Sequence, residues 1–105
     1  MALAFATARL RITNETGAHE DTVTAAPGFD LPIREDDHQP VVGVAIQSFK
    51  LDLAGSADPT DIVQVTTSID SVSGRSVSVR FKTDYTGGPY SGEVKALVIA
   101  DLIEP

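Results

Sequence analysis

The octapeptide "SVSVRFKT" at residues 76–83 alternates apolar and polar side chains without a break. Val77, Val79, Phe81 and Thr83 share one face, and Ser76, Ser78, Arg80 and Lys82 share the other. Successive side chains of a strand point to opposite faces, so this is a half-exposed antiparallel strand. The segment "DIVQVTTSID" repeats the pattern, with Val63, Val65 and Ile69 inward and Gln64, Thr66 and Ser68 outward. Between them "SVSGR" supplies a Ser-Gly turn, which makes residues 61–84 a hairpin.

Helical periodicity is weak everywhere else, and β-branched residues gather into separate runs. "PVVGVAIQSFKLDL" is a longer strand whose apolar parity changes along its length. Val42, Val44 and Ile46 lie on one face, then Phe49, Leu51 and Leu53 on the other. Either a bulge near Gln47-Ser48 re-phases the strand or both faces are covered. The last segment, "EVKALVIADLI", is apolar on both faces from Ala96 to Ile99, which implies cover by a neighbouring subunit or burial within the sandwich itself. Residues 3–12 read as a first strand and "TVTA" as a short second one. Pro27-Gly28 breaks the chain, "FDLPI" is extended, "REDDHQP" is a polar turn and "AGSADPTD" a loop. The expected fold is all-β, a six- to seven-stranded antiparallel β-sandwich forming a single domain over 1–105.

With 42% apolar residues the chain can build a core and is no disordered tail. It has no cysteine, which removes disulfides, thiolate metal sites and cysteine nucleophiles. A small core without such staples often borrows stability from a partner subunit. Eight basic against fifteen acidic residues give a formal charge of −7. Phosphate backbones and anionic membranes repel such a surface, so neither nucleic acid nor membrane is an expected partner. No apolar run reaches the roughly 20 residues of a membrane span, and none is expected to insert. "MALAFATARLRI" lacks the basic start and polar break of a signal peptide, and the compartment stays open.

Catalytic constellations are scarce. His19 and His38 sit among acids in polar loops with no nucleophile placed beside them, so a solvated histidine is the plain reading of each. "REDDH" and "DLAGSADPTD" are rich in oxygen donors but lack the spacing of a calcium loop. No phosphate loop or dinucleotide fingerprint occurs, and the expectation is a non-enzymatic protein with no cofactor and no metal. The one stretch that invites a ligand is "KTDYTGGPYSGE" at 82–93. Tyr85 and Tyr90 present ring faces for a sugar, Asp84 presents paired acceptors, and the glycines let a ligand approach. The competing reading is a hairpin connection with one tyrosine packed over the sandwich end.

Three segments in order, "QPVVGVAIQSFKLDL", "QVTTSIDSVSGRSVSVRFKTDYTGGPYS" and "EVKALVIADL", resemble the H-type lectin domain of snail agglutinins and discoidin C-terminal regions. The shared features fall on Pro40-Val41, Leu51-Asp52, Val72-Ser73, Thr83 and Tyr90, within residues 39–103. The resemblance implies a six-stranded antiparallel sandwich that assembles as a trimer, sometimes paired into a hexamer. It implies a glycan or monosaccharide ligand in clefts between subunits. Carried over by position, the site would use Gln64, where the family often has arginine. Asp84 and Tyr85 would stand where an aromatic and a histidine usually follow the Thr, with Tyr90 one residue further on than its counterpart. The alternative function is a structural or adhesion subunit, such as part of a phage tail or fibre, built on the same trimeric sandwich without sugar binding.

Overall fold

The computed structural model describes residues 2–53 and 63–103. The expected loop "AGSADPTD" and the first two residues of the expected 61–84 hairpin lie outside them. Every regular element among the described residues is a strand: β1 (Ala2–Glu15), β2 (His19–Thr24), β3 (Glu35–Asp36), β4 (Gln39–Pro40), β5 (Val42–Leu53), β6 (Val63–Ser73), β7 (Ser76–Tyr85) and β8 (Tyr90–Leu102). Two antiparallel three-stranded sheets, β1-β8-β5 and β2-β7-β6, form a β-sandwich, and β3-β4 is a two-residue hairpin. Its Asp37 and His38 both have positive φ, as a type I′ turn requires, so the polar stretch "REDDHQP" is a tight reversal.

Alternation decides which side chains enter the core. Val77, Val79, Phe81 and Thr83 of β7 are buried, while Arg80 and Lys82 face outward. β6 follows the same rule with Val65 and Ile69 half-buried, and a register shift between Ile69 and Ser71 brings Val72 to the core side. Val63, expected inward, is 40% exposed and lines the gap between β6 and β5. The β6–β7 turn is Gly74-Arg75, one residue later than Ser-Gly, since Ser73 pairs with Ser76. Gly74 takes φ +57 at the first central position, the glycine-first pattern of a type II′ hairpin. In β5 the register shifts between Ile46 and Ser48, so a bulge, and not two-sided cover, explains the change of parity.

β8 is the middle strand of its sheet, paired on both edges, and it carries apolar residues on both faces. Val94, Ala96, Val98 and Ala100 point into the core and are fully buried. Leu97 and Ile99 lie half-buried on the outer face, between Thr7 and Phe5 of β1 and Ala45 and Gly43 of β5. "FDLPI" forms no strand. It crosses one end of the sandwich, held by Phe29 N–H to Arg75 O at 2.9 Å, Ile33 N–H to Gly74 O at 3.1 Å and Ile103 N–H to Pro32 O at 2.8 Å. There the buried Asp101 accepts from Arg34 Nε at 2.8 Å and from Ala2 N–H at 3.1 Å, and the guanidinium hydrogen bond holds its carboxyl below the ordinary value.

The two long sides of the sandwich differ. On the β1/β2 side the sheets are stitched together: Ala25 N–H bonds Val77 O at 2.8 Å, while Ala26 exchanges two backbone bonds with Thr7, at 2.9 and 3.1 Å. On the β5/β6 side no such crossing occurs among the described residues. A gap of about 350 Å³ opens there between Ile46, Phe49, Leu51, Leu53, Val63 and Val65.

Candidate functional site

The end of the sandwich at the β7–β8 connection carries the four residues singled out in the sequence, and it separates them into two pairs. Tyr85 and Tyr90 are in the core, 2% and 1% exposed, with ring centroids 6.3 Å apart in an edge-to-face arrangement. The Tyr90 hydroxyl donates to Gly17 O at 2.8 Å and accepts from the Thr83 hydroxyl at 3.0 Å, fixing the β1–β2 turn to β7. The Tyr85 hydroxyl is buried with no partner among the described residues, so the packing of its ring holds it in place. Neither tyrosine offers a ring face to a ligand. That corrects the stacking role expected of them: each is in phase with the buried residues of its own strand. The connection itself, Thr86 to Pro89, is a short turn.

Gln64 and Asp84 are brought together. They are cross-strand partners in β6 and β7, one row from the Thr66–Lys82–Glu20 row that runs across β6, β7 and β2. Opposite residues in such a ladder have Cβ atoms about 5 Å apart on the same face. By alternation all five point away from the core. They line a cleft of about 430 Å³ whose remaining walls are Ala18, His19 and Thr83.

Charge in the cleft is mixed and partly compensated. Glu20 lies 3.3 Å from Arg80 Nε and 3.9 Å from Lys82 Nζ, and Arg80 also reaches Asp70. Asp84 is half-buried and has no ion pair among the described residues, so its two oxygens remain as acceptors. His19 Nδ1 lies 3.7 Å from Glu15 Oε2 at the cleft's edge, as part of β2 and not in a free loop. No three histidine, aspartate or glutamate side chains among the described residues converge as a metal site. No helix of the described residues is long and apolar enough to cross a membrane.

His19, Glu20, Thr66 and Lys82 were not visible as site residues in the sequence. The pairing that joins Glu20 to Lys82 spans 62 positions, and no local pattern reports it. Only the alternation of Thr22-Val23-Thr24, extended backwards, marks Glu20 as outward-facing.

Neither a family model, nor a curated protein, nor a solved structure matches the chain.

Proposed function

We propose that the protein is a lectin-like, non-catalytic binding module that holds a sugar in the β2-β7-β6 cleft and works as an oligomer. The observation that carries this reading is the convergence of Gln64 and Asp84 with Lys82, Glu20 and Thr66 on one sheet face. Sugar hydroxyls both donate and accept. A carboxylate takes two of their protons, an amide does both, and an ammonium donates to their oxygens. The cleft volume is that of a small-ligand site.

Among the described residues no phenylalanine or tyrosine side chain lines the cleft, so the apolar face of a sugar has no such ring there to stack on. Gln64 also supplies a neutral amide where the resembling lectins often place a guanidinium. A single site is therefore weak, with a monosaccharide Kd near 1 mM, about −4 kcal/mol. Several sites on one oligomer would raise binding to a multivalent glycan through effective concentration. On a glycan-coated surface, Asp84→Ala and Gln64→Ala should each lower binding by about tenfold at unchanged melting temperature. Folded variants that bind as well as the parent would remove the cleft from consideration.

A second reading, a structural or adhesion subunit, is favoured by the open β5/β6 side. Phe49 is 56% exposed there and Ile46, Leu53 and Val63 between 36% and 40%. The two strands flanking the gap pair only with β8 and β7 among the described residues, leaving backbone edges free beside the apolar side chains. A ring in which β5 of one copy meets β6 of the next covers both edges in every subunit. The expected assembly is a trimer or a multiple of it, with the contact at this side, where backbone edges are free, and not along β8, whose two edges are both paired. Light scattering at micromolar concentration should show that species, and Phe49→Asp should convert it to 11.1 kDa monomers. A parent chain that is already monomeric would sink the assembly, and with it the structural reading.

A further inference from the structure

Half of the chain's eight basic residues gather on the outer face of the β1-β8-β5 sheet, around one of its fifteen acidic residues. Strand register sets them in two adjacent rows: Arg9 opposite Lys95, and Arg11 opposite Glu93 opposite Lys50. Glu93 is shared by three cations, at 3.1 Å from Arg9 Nε, 3.9 Å from Arg11 Nη2 and 3.9 Å from Lys95 Nζ. Lys50 has no ion pair among the described residues. One carboxylate cannot neutralise four cations. The next row adds Asp52, opposite Ser91, and the patch remains positive on a chain of net charge −7.

We propose that this patch binds a compact dianion: two oxyanion groups, sulfate, phosphate or carboxylate, carried on one small molecule or one short oligomer. The spacing comes from the sheet itself. Residues two apart along a strand are about 7 Å apart, and β1 and β5 flank β8 at about 10 Å from each other. Arg9, Arg11 and Lys50 therefore mark three corners of a patch of about those dimensions, with Lys95 on the middle strand between Arg9 and the fourth corner, Ser48. A depression of about 310 Å³ lies at one end of it, lined by Arg11, Lys50, Ser91 and Glu93 among others. Guanidinium and ammonium groups donate to oxyanions through short charge-assisted bonds, and Ser91 adds a hydroxyl. The acidic groups of the opposite sheet point outward from the far side of the sandwich, farther off than the roughly 10 Å between the sheets and so beyond one Debye length at 0.1 M salt. They weigh less on the ligand than the cations beside it. A nucleic acid duplex fits less well, because phosphate tracking needs a longer basic stripe than two rows.

The site is separate from the sugar cleft, on the other sheet, and stands without it. The test is an NMR titration of the full chain with inorganic sulfate, pyrophosphate, a disulfated disaccharide, its unsulfated parent and a short DNA duplex. Saturable shifts at the amides of Arg11, Lys50, Ser91 and Glu93 are expected with pyrophosphate and the disulfated disaccharide, weaker with sulfate, and absent with the neutral sugar. Which of the two dianions binds more tightly identifies the natural source. The double variant R11Q/K50Q should lose about tenfold or more in affinity, and E93Q should gain about threefold, because a competing carboxylate is gone. Both effects should shrink as salt rises from 50 to 200 mM. The proposal is overturned if no dianion gives saturable shifts there, if E93Q binds no better while remaining folded, or if the duplex binds more tightly than either dianion.

Discussion

Gly92→Ala is expected to be among the most damaging single substitutions in this chain. A Cβ built on Gly92 would sit 1.9 Å from the carbonyl oxygen of Lys50 and 2.9 Å from the Cα of Leu51. Both obstacles are backbone atoms of the neighbouring strand, so no side-chain rotation relieves them. The φ of +153° adds a conformation that residues with a Cβ seldom adopt. Overpacking costs about 1–3 kcal/mol and a strained backbone about the same again, so a loss on the order of 4 kcal/mol is expected. The same substitution at Gly43, where nothing lies within 4 Å of the new Cβ, should be neutral or stabilising by up to about 1 kcal/mol. Denaturant melts of the two variants measure the difference. Equal stabilities would show that β5 and β8 do not approach as closely as described.

Phe81→Ala comes next. Phe81 is fully buried between Val79 and Thr83, and it faces Asp21 of β2 and Thr67 of β6 in register. Removing a ring from a packed site leaves a cavity and costs about 3–5 kcal/mol. Arg80, its neighbour in sequence, points outward to Asp70 and Glu20 with its side chain 44% exposed. Exposed ion pairs contribute little, so Arg80→Ala should cost only about 0.5 kcal/mol. Comparable losses at 80 and 81 would mean that the faces of β7 are exchanged.

That face assignment was legible in the sequence because alternation is a local property. The change of parity in β5 between Ile46 and Phe49 was legible for the same reason, but the sequence left a bulge and two-sided cover as alternatives, and only the strand register decides for the bulge. The tyrosines show where local signals were passed over. Tyr85 continues the phase of Val77, Val79, Phe81 and Thr83, and Tyr90 is in phase with Val94, Ala96 and Val98, so both belong to the core by the rule that places their neighbours. The polar, glycine-rich composition around them concealed that phase. The cleft was half legible. Gln64 and Asp84 are outward by alternation and close through a hairpin, whereas Glu20 and His19 arrive by pairing with residues about sixty positions away. The sequence holds no short-range record of that pairing, nor of β8 lying between β1 and β5.

The most direct test of the central claim is a crystal structure of the protein soaked with a mixture of monosaccharides at concentrations well above 1 mM. The account predicts one sugar in the β2-β7-β6 cleft, with its hydroxyls bonded to Asp84 and Gln64 and within reach of Lys82. A sugar bound instead over the Thr86–Pro89 turn, or an empty cleft at saturating concentration, would contradict it.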